Sequence, residues 1–260
     1  MCNVSTRKYA RVVNRGADAL GLSKSAVSRA FVKESAQALA KLMGRSFAEI
    51  DLVAIYVDGI IVASHHNIAT LGVDAQGNKH VLGLASGSSG NAKVVKDLLA
   101  TLADRGVDLN VARLWVIDGS KALRSAIEQR CGSDAKVQRW RIHKIRNVTE
   151  RPPKDKAQHP DAAASVREGW DQMFTITDLG VTGELARCLA TTNVIESPNS
   201  VVRRVSRRVT NHKSTDMALR WTAAGFLEAE KSFKKLRGFA QLKSLINSLR
   251  SRVQPLKKAA

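Results

Sequence analysis

The chain has 260 residues, of which 42 are Lys or Arg and 23 Asp or Glu, giving a formal charge of +19. Charge on this scale argues for a polyanionic partner and against a neutral structural role, and an apolar content of 44% is enough for a buried core. The apolar runs fall far short of the ~20 residues of a membrane span. The N-terminal stretch MCNVSTRKYARVV lacks the apolar segment of a secretory signal. Cys2, Cys131 and Cys188 are odd in number and widely spaced, which argues against a disulfide framework and a zinc site. A cytoplasmic protein with reduced thiols is expected.

The first fifty residues read as helical. TRKYARVVNRGADAL is followed, after a turn containing Gly21, by SKSAVSRAFVKESAQALAKLMG, with Ser23 as N-cap and apolar residues at three- and four-residue spacing. Helix, short turn and basic helix is the pattern of a helix-turn-helix. The start of the second helix, Lys24, Ser25, Ser28 and Arg29, is then expected to face DNA bases, the alternative being an amphipathic helical pair with solvated polar faces.

From residue 52 the apolar period changes. LVAIYVDGIIVAS and NIATLGVDAQGNKHVLGLAS predict a three-stranded meander with a turn at DAQGNK. NAKVVKDLLATLADRG predicts an amphipathic helix closed by Gly106, VARLWVID a buried strand, SKALRSAIEQR a helix and AKVQRW a further strand. This is an α/β domain with a mixed sheet. ERPPKDKAQHP reads as a linker. Helices are expected in DAAASVREGWDQMF, TGELARCLA, the stretch after Asn193, STDMALRWTAAGFLEAEKSFKKL and FAQLKSLINSLRS. Trp115, Trp140, Trp170 and Trp221 are expected in the core.

Three carboxylates stand out. Asp58 in AIYVDGI and Asp118 in LWVIDGSKALRSAI close apolar runs of strand character, and Glu196 in TTNVIESPNSVVRRVSRRV precedes an Arg-rich helical stretch. Mg²⁺ is held by a few carboxylate oxygens together with water and substrate phosphate. Two such ions about 4 Å apart can stabilise both the attacking and the leaving oxygen of a phosphodiester displacement. Read singly, Asp58-Gly59 and Asp118-Gly119 are also ordinary turn signals, and Glu196 suits any helix start. Asp74, in VDAQGN, is a hairpin acid and is left out of the set. From Arg187 onward there are 16 basic and 4 acidic residues, a net of +12 over 74 positions.

With these motifs the chain resembles the mutator-type transposases of bacterial insertion sequences, which have an RNase H-like fold and a DDE triad. The likeness runs from about Val4 to Arg250. It is carried by STRKYARV, SKSAVSR, VDGI, VIDGSKALRSAI, VQRWRIHKIRNV, HPDAAASVREG, TTNVIESPNSVVRRVSRRV and ALRWTAAGFLEAEKSF. It implies an RNase H-like mixed sheet flanked by helices, and Asp58, Asp118 and Glu196 as ligands of two Mg²⁺ ions, for which Mn²⁺ can substitute. The implied reaction is cleavage at the element's ends by water, then attack of the freed 3′-hydroxyl on target DNA, with no covalent protein–DNA intermediate. His143 matches the His of a Cys-x-x-His element and is expected to support the site. Lys144, Arg146, Arg203, Arg204, Arg207 and Arg208 are expected to hold DNA phosphates, which fix register without reading sequence. A homo-oligomer, or a mixed oligomer with a full-length enzyme, is expected.

The chain departs from the family pattern in several places. It lacks the family's further N-terminal sequence, ERPPKDKAQ replaces a helical insertion, GSSGNA lacks an expected acid, and Trp140 stands where the family has Cys. These departures predict a truncated, internally deleted member with impaired activity, since lost DNA positioning costs rate. The expected organisation is a helix-turn-helix-like segment at 1–50, the first part of the catalytic domain at 51–150, a linker at 151–160 and completing helices at 161–250. The alternative is a catalytically inactive DNA-binding remnant that represses the full-length enzyme. A host nuclease of RNase H-like fold is disfavoured by the N-terminal helices and by the Arg-rich block around Glu196.

Overall fold

The computed structural model describes residues 23–140, 170–191, 193–207, 209 and 212–251. Its centre is a five-stranded mixed sheet in the order β3-β2-β1-β4-β5. The strands are β1 (Leu52–Val62), β2 (His65–Asp74), β3 (Lys79–Ser86), β4 (Leu114–Ile117) and β5 (Lys136–Arg139). The first three form the expected antiparallel meander. β4 then lies parallel to β1 on its other side, and β5 lies parallel to β4. Both parallel strands are short and buried, as strands covered on two faces must be.

Helix α1 (Lys24–Met43) precedes the sheet, α2 (Ala92–Asp104) joins β3 to β4, and α3 (Lys121–Cys131) joins β4 to β5. After the sheet come α4 (Thr175–Asp178), α5 (Gly183–Ala190), α6 (Asn193–Ser206), α7 (Thr215–Glu230) and α8 (Leu242–Arg250). The caps follow the sequence. Ser23, Asn91, Ser120 and Ser214 each accept a backbone N–H of their helix, which satisfies a donor the first turn leaves open.

Alternation along β1 distributes the core. Ile55 and Val57 pack with Trp115 and Ile117 against Leu98, Leu102, Leu123 and Ile127 of α2 and α3. Ala54 and Tyr56 face the other way with Leu114, Val116 and Trp140, under α4, α5, the start of α6 and α8. Further along that face, Ile60 and Val62 meet Leu42, Val202, Ala223 and Phe226 from α1, α6 and α7. The sheet is therefore the middle of three layers.

Helix α1 is bound to this body from Phe31 to its end. Phe31 stacks on Trp221 at 4.4 Å, and Leu42 is buried. Beyond its end, Arg45 forks onto both oxygens of Glu230 at 2.8 and 2.7 Å, and Glu230 also accepts the Val81 N–H. The Arg105 guanidinium donates to the carbonyls of Leu42, Arg45 and Leu82 and closes the corner between α1, α2 and β3. Gln138 ties β5 to α4 by donating to Met173 O and accepting from Ile176 N.

Three expectations are corrected, the first being the helix expected through Phe174, which over its described residues is a turn at Trp170 and a 3-10 helix at Asp171–Met173. Trp170 is 49% exposed and leans on Phe174 instead of entering the core. Helix α7 ends at Glu230, short of the expected Leu236, because Leu236 N turns back to donate to Gly77 O in the β2–β3 hairpin. The first expected helix and the linker lie outside the described residues.

Candidate active site

Parallel pairing of β1 and β4 builds the site. Val57 is in register with Ile117, so Asp58 and Asp118 come next, side by side and half-buried. Asp58 does not close its strand, because the apolar run resumes at Ile60 and β1 continues to Val62. Asp118 does follow the last residue of β4, where the chain turns into α3.

That turn is fixed by hydrogen bonds. Asp118 Oδ1 accepts from Ser120 N at 2.9 Å and Oδ2 from Ser89 Oγ at 3.2 Å. Ser120 Oγ in turn donates to Ser89 O and accepts from Leu123 N as the cap of α3. The carboxylate thus lies at the start of a helix, where negative charge is favoured. Gly119 has φ +90°, where an L side chain is strained, and a Cβ there would lie 1.9 Å from Arg139 Nε unless that side chain moved. Arg139, at the end of β5, therefore packs its guanidinium directly against the Asp118 loop.

Helix α6 supplies the third side of the site. Asn199, 1% exposed, donates from Nδ2 to Asp58 Oδ2 at 2.7 Å. Glu196 lies three residues earlier, exposed in the first turn of α6. Among the described residues no three His, Cys, Asp or Glu side chains are gathered closely enough to hold a metal ion. The two aspartates are adjacent, and Glu196 stands one turn from the amide that holds Asp58.

Burial and the negative charge of Asp118 push the Asp58 carboxyl up from its ordinary 3.8 to about 7. The hydrogen bonds from Asn199 and Gly59 and the charge of Arg203 act in the opposite direction and are outweighed. Two facing carboxylates carry an excess of negative charge that a shared proton or a hard cation would offset.

The remaining residues singled out from sequence are dispersed. Ser25, Ser28 and Arg29 are exposed on α1, and Lys24 is the first residue of that helix. Arg203 and Arg204 are exposed on α6, with Arg207 just past its end. His143, Lys144, Arg146 and Arg208 lie outside the described residues. Asp74 is a turn acid, accepting from Gln76 N, Asn78 N and His80. Ser89, Arg139 and Asn199 were not singled out. Only Asn199 left a signal, its i+3 spacing from Glu196. The surface clefts lined by Gly106, Val107 and Asp108 lie at the other end of β1 and β4, away from these groups.

The structure is thus a mixed α/β protein in a strongly basic chain, with two acidic side chains side by side at neighbouring parallel strands. Residues 1–160 match the family described as "Transposase, Mutator family", and the chain belongs to that family. It is also 30% identical over 154 residues to the transposase for insertion sequence element IS6120 of Mycolicibacterium smegmatis. That match covers 57% of this chain and 46% of the relative, so the chain spans about half the length of the curated relative it matches.

Proposed function

We propose that the protein is an insertion-element transposase of DDE type, in which Asp58, Asp118 and Glu196 bind two Mg²⁺ ions and act on DNA. The observation that carries this reading is the Asp58–Asp118 pair, held half-buried on adjacent parallel strands with Asp58 pushed up to about 7 by its surroundings. Strand order β3-β2-β1-β4-β5, with three antiparallel strands followed by two parallel ones, supports the RNase H-like assignment. The donor set fits the ions, since hard carboxylate oxygens under mutual repulsion favour a divalent cation over their own ionised coexistence. Such ions supply Lewis-acid stabilisation of a phosphodiester and an activated water.

The chain's own residues supply positioning. Ser89 and Ser120 orient Asp118, and Asn199 orients Asp58. Helix α6 carries Glu196 on the same side of the sheet, where with the two aspartates it would make up the three-acid set. Arg139, beside Gly119, and Arg203, whose charge is felt at Asp58, face the phosphates of the bound strand. Arg204 and Arg207 extend this basic path and add affinity without sequence preference.

A second reading, a DNA-binding remnant without catalysis, is favoured by one observation: Glu196 does not join the aspartates among the described residues. Nicking of a duplex carrying the element's terminal repeat distinguishes the two. The first reading predicts Mg²⁺-dependent nicks that Glu196→Gln reduces at least 100-fold, with DNA affinity unchanged. Binding without nicks in either protein establishes the second.

A further inference from the structure

We propose that Asn199 is a positioning residue that clamps the Asp58 carboxylate to helix α6 and so sets the spacing between the strand-borne aspartates and Glu196. The inference rests on the two-metal reading above and concerns how that site is held together.

Geometry carries the argument. Asn199 is 1% exposed and reaches across from α6 to β1, placing Nδ2 2.7 Å from Asp58 Oδ2. At 100° per residue, Glu196, Asn199 and Arg203 fall within one 60° sector of α6, so the face that carries the amide onto Asp58 also carries an acid and a cation. The remaining amide oxygen, Asn199 Oδ1, is buried with no hydrogen-bond partner. A half-satisfied amide is a poor choice for stability at this place, next to buried Val194, Ile195 and Val202. An apolar residue there would remove this orphan but would also take the donor from Asp58 Oδ2. The amide at this place is therefore accounted for by its bond to Asp58 and not by packing.

The chemistry explains why the residue is Asn. A Lys or Arg in contact with Asp58 would neutralise it and compete with an incoming cation. An Asp would add a third negative charge within hydrogen-bond distance. A neutral N–H donor orients the carboxylate and leaves its charge available. Because the same helix turn carries Glu196, the clamp also fixes how far that residue stands from the pair. Asn199 touches no reacting atom in this account and acts through Asp58.

The test uses the whole chain and Mn²⁺ as probe, with binding read by electron paramagnetic resonance in the absence of DNA. The variants are Asn199→Ala, Asn199→Leu and Asp118→Asn. Wild type is expected to bind Mn²⁺ and Asp118→Asn to lose it. Both Asn199 variants should weaken it at least 10-fold while keeping the wild-type far-ultraviolet circular dichroism spectrum. In the nicking assay they should raise the half-saturating Mg²⁺ concentration by a similar factor, with the Kd for DNA unchanged. A purely structural asparagine would not separate metal affinity from DNA affinity in this way. Mn²⁺ binding lost in Asp118→Asn but unchanged in both Asn199 variants overturns the clamp alone. No Mn²⁺ binding by wild type overturns the metal-site reading and the clamp with it.

Discussion

Asp58 shows how one residue carries a cost in stability for the sake of charge. Its folded carboxyl titrates near 7 against an ordinary 3.8. Between those values the folded chain keeps a proton that the unfolded chain has released, so stability falls as pH rises and the loss is complete above about 7. Asp58→Asn removes this term. Without divalent metal, its thermal midpoint should gain on wild type from pH 5 to pH 8, while its nicking activity is abolished. A gap that does not change with pH would show that Asp58 is not perturbed. Gly119 makes a second, steric case. Gly119→Ala forces a side chain onto Arg139 Nε at a backbone angle of +90°. It should cost about 1–3 kcal/mol in denaturant unfolding and reduce nicking at least 10-fold.

At the scale of elements, the site depends on where α6 sits, and α7 holds α6 in place. Gly225 of α7 approaches so closely that a Cβ would lie 2.6 Å from Val202 Cα. Its backbone is ordinary helix, so Ala at that position would improve local propensity, but contact with backbone atoms cannot be relieved by a rotamer change. Gly225→Ala should therefore destabilise by about 1–3 kcal/mol, and by displacing α6 it should impair nicking more than DNA binding. Thermal unfolding and the two assays side by side check this. A contrasting case is Arg105, whose guanidinium satisfies the carbonyls of Leu42, Arg45 and Leu82 far from the aspartates. Arg105→Met should lose about 2–3 kcal/mol, leaving the half-saturating Mg²⁺ concentration unchanged.

The elements themselves were largely legible in the sequence, because β-branched runs and helical spacing are local signals. The strand run through Asp58, the Asp74 turn and the cap at Ser23 could be read directly. The site was legible only in part. Asp58 and Asp118 stand out by residue type, yet their adjacency comes from the parallel register of β1 and β4, which no local pattern encodes. Ser89 and Arg139 act through tertiary contact with Asp118 and Gly119, and in sequence they look like any loop serine and strand-end arginine. Trp170 misled for the opposite reason: a large apolar residue in a helical pattern carries no sign of which side faces solvent.

For the whole molecule, the +19 charge and the exposed arginines of α6 mean that the DNA binding proposed here would be electrostatic first. Binding should weaken steeply with salt, and Arg204→Ala should reduce the log–log salt slope by about 0.9 on repeat and unrelated duplexes alike. A loss confined to the repeat would instead assign Arg204 to base reading. The most direct test of the whole account is Mg²⁺-dependent nicking of a duplex bearing the terminal repeat, compared between wild type and Asp118→Asn. The account predicts nicks by wild type at the repeat boundary and none by the variant, with equal DNA binding. Equal nicking by both proteins, or none by either with Mg²⁺ or Mn²⁺, would contradict it.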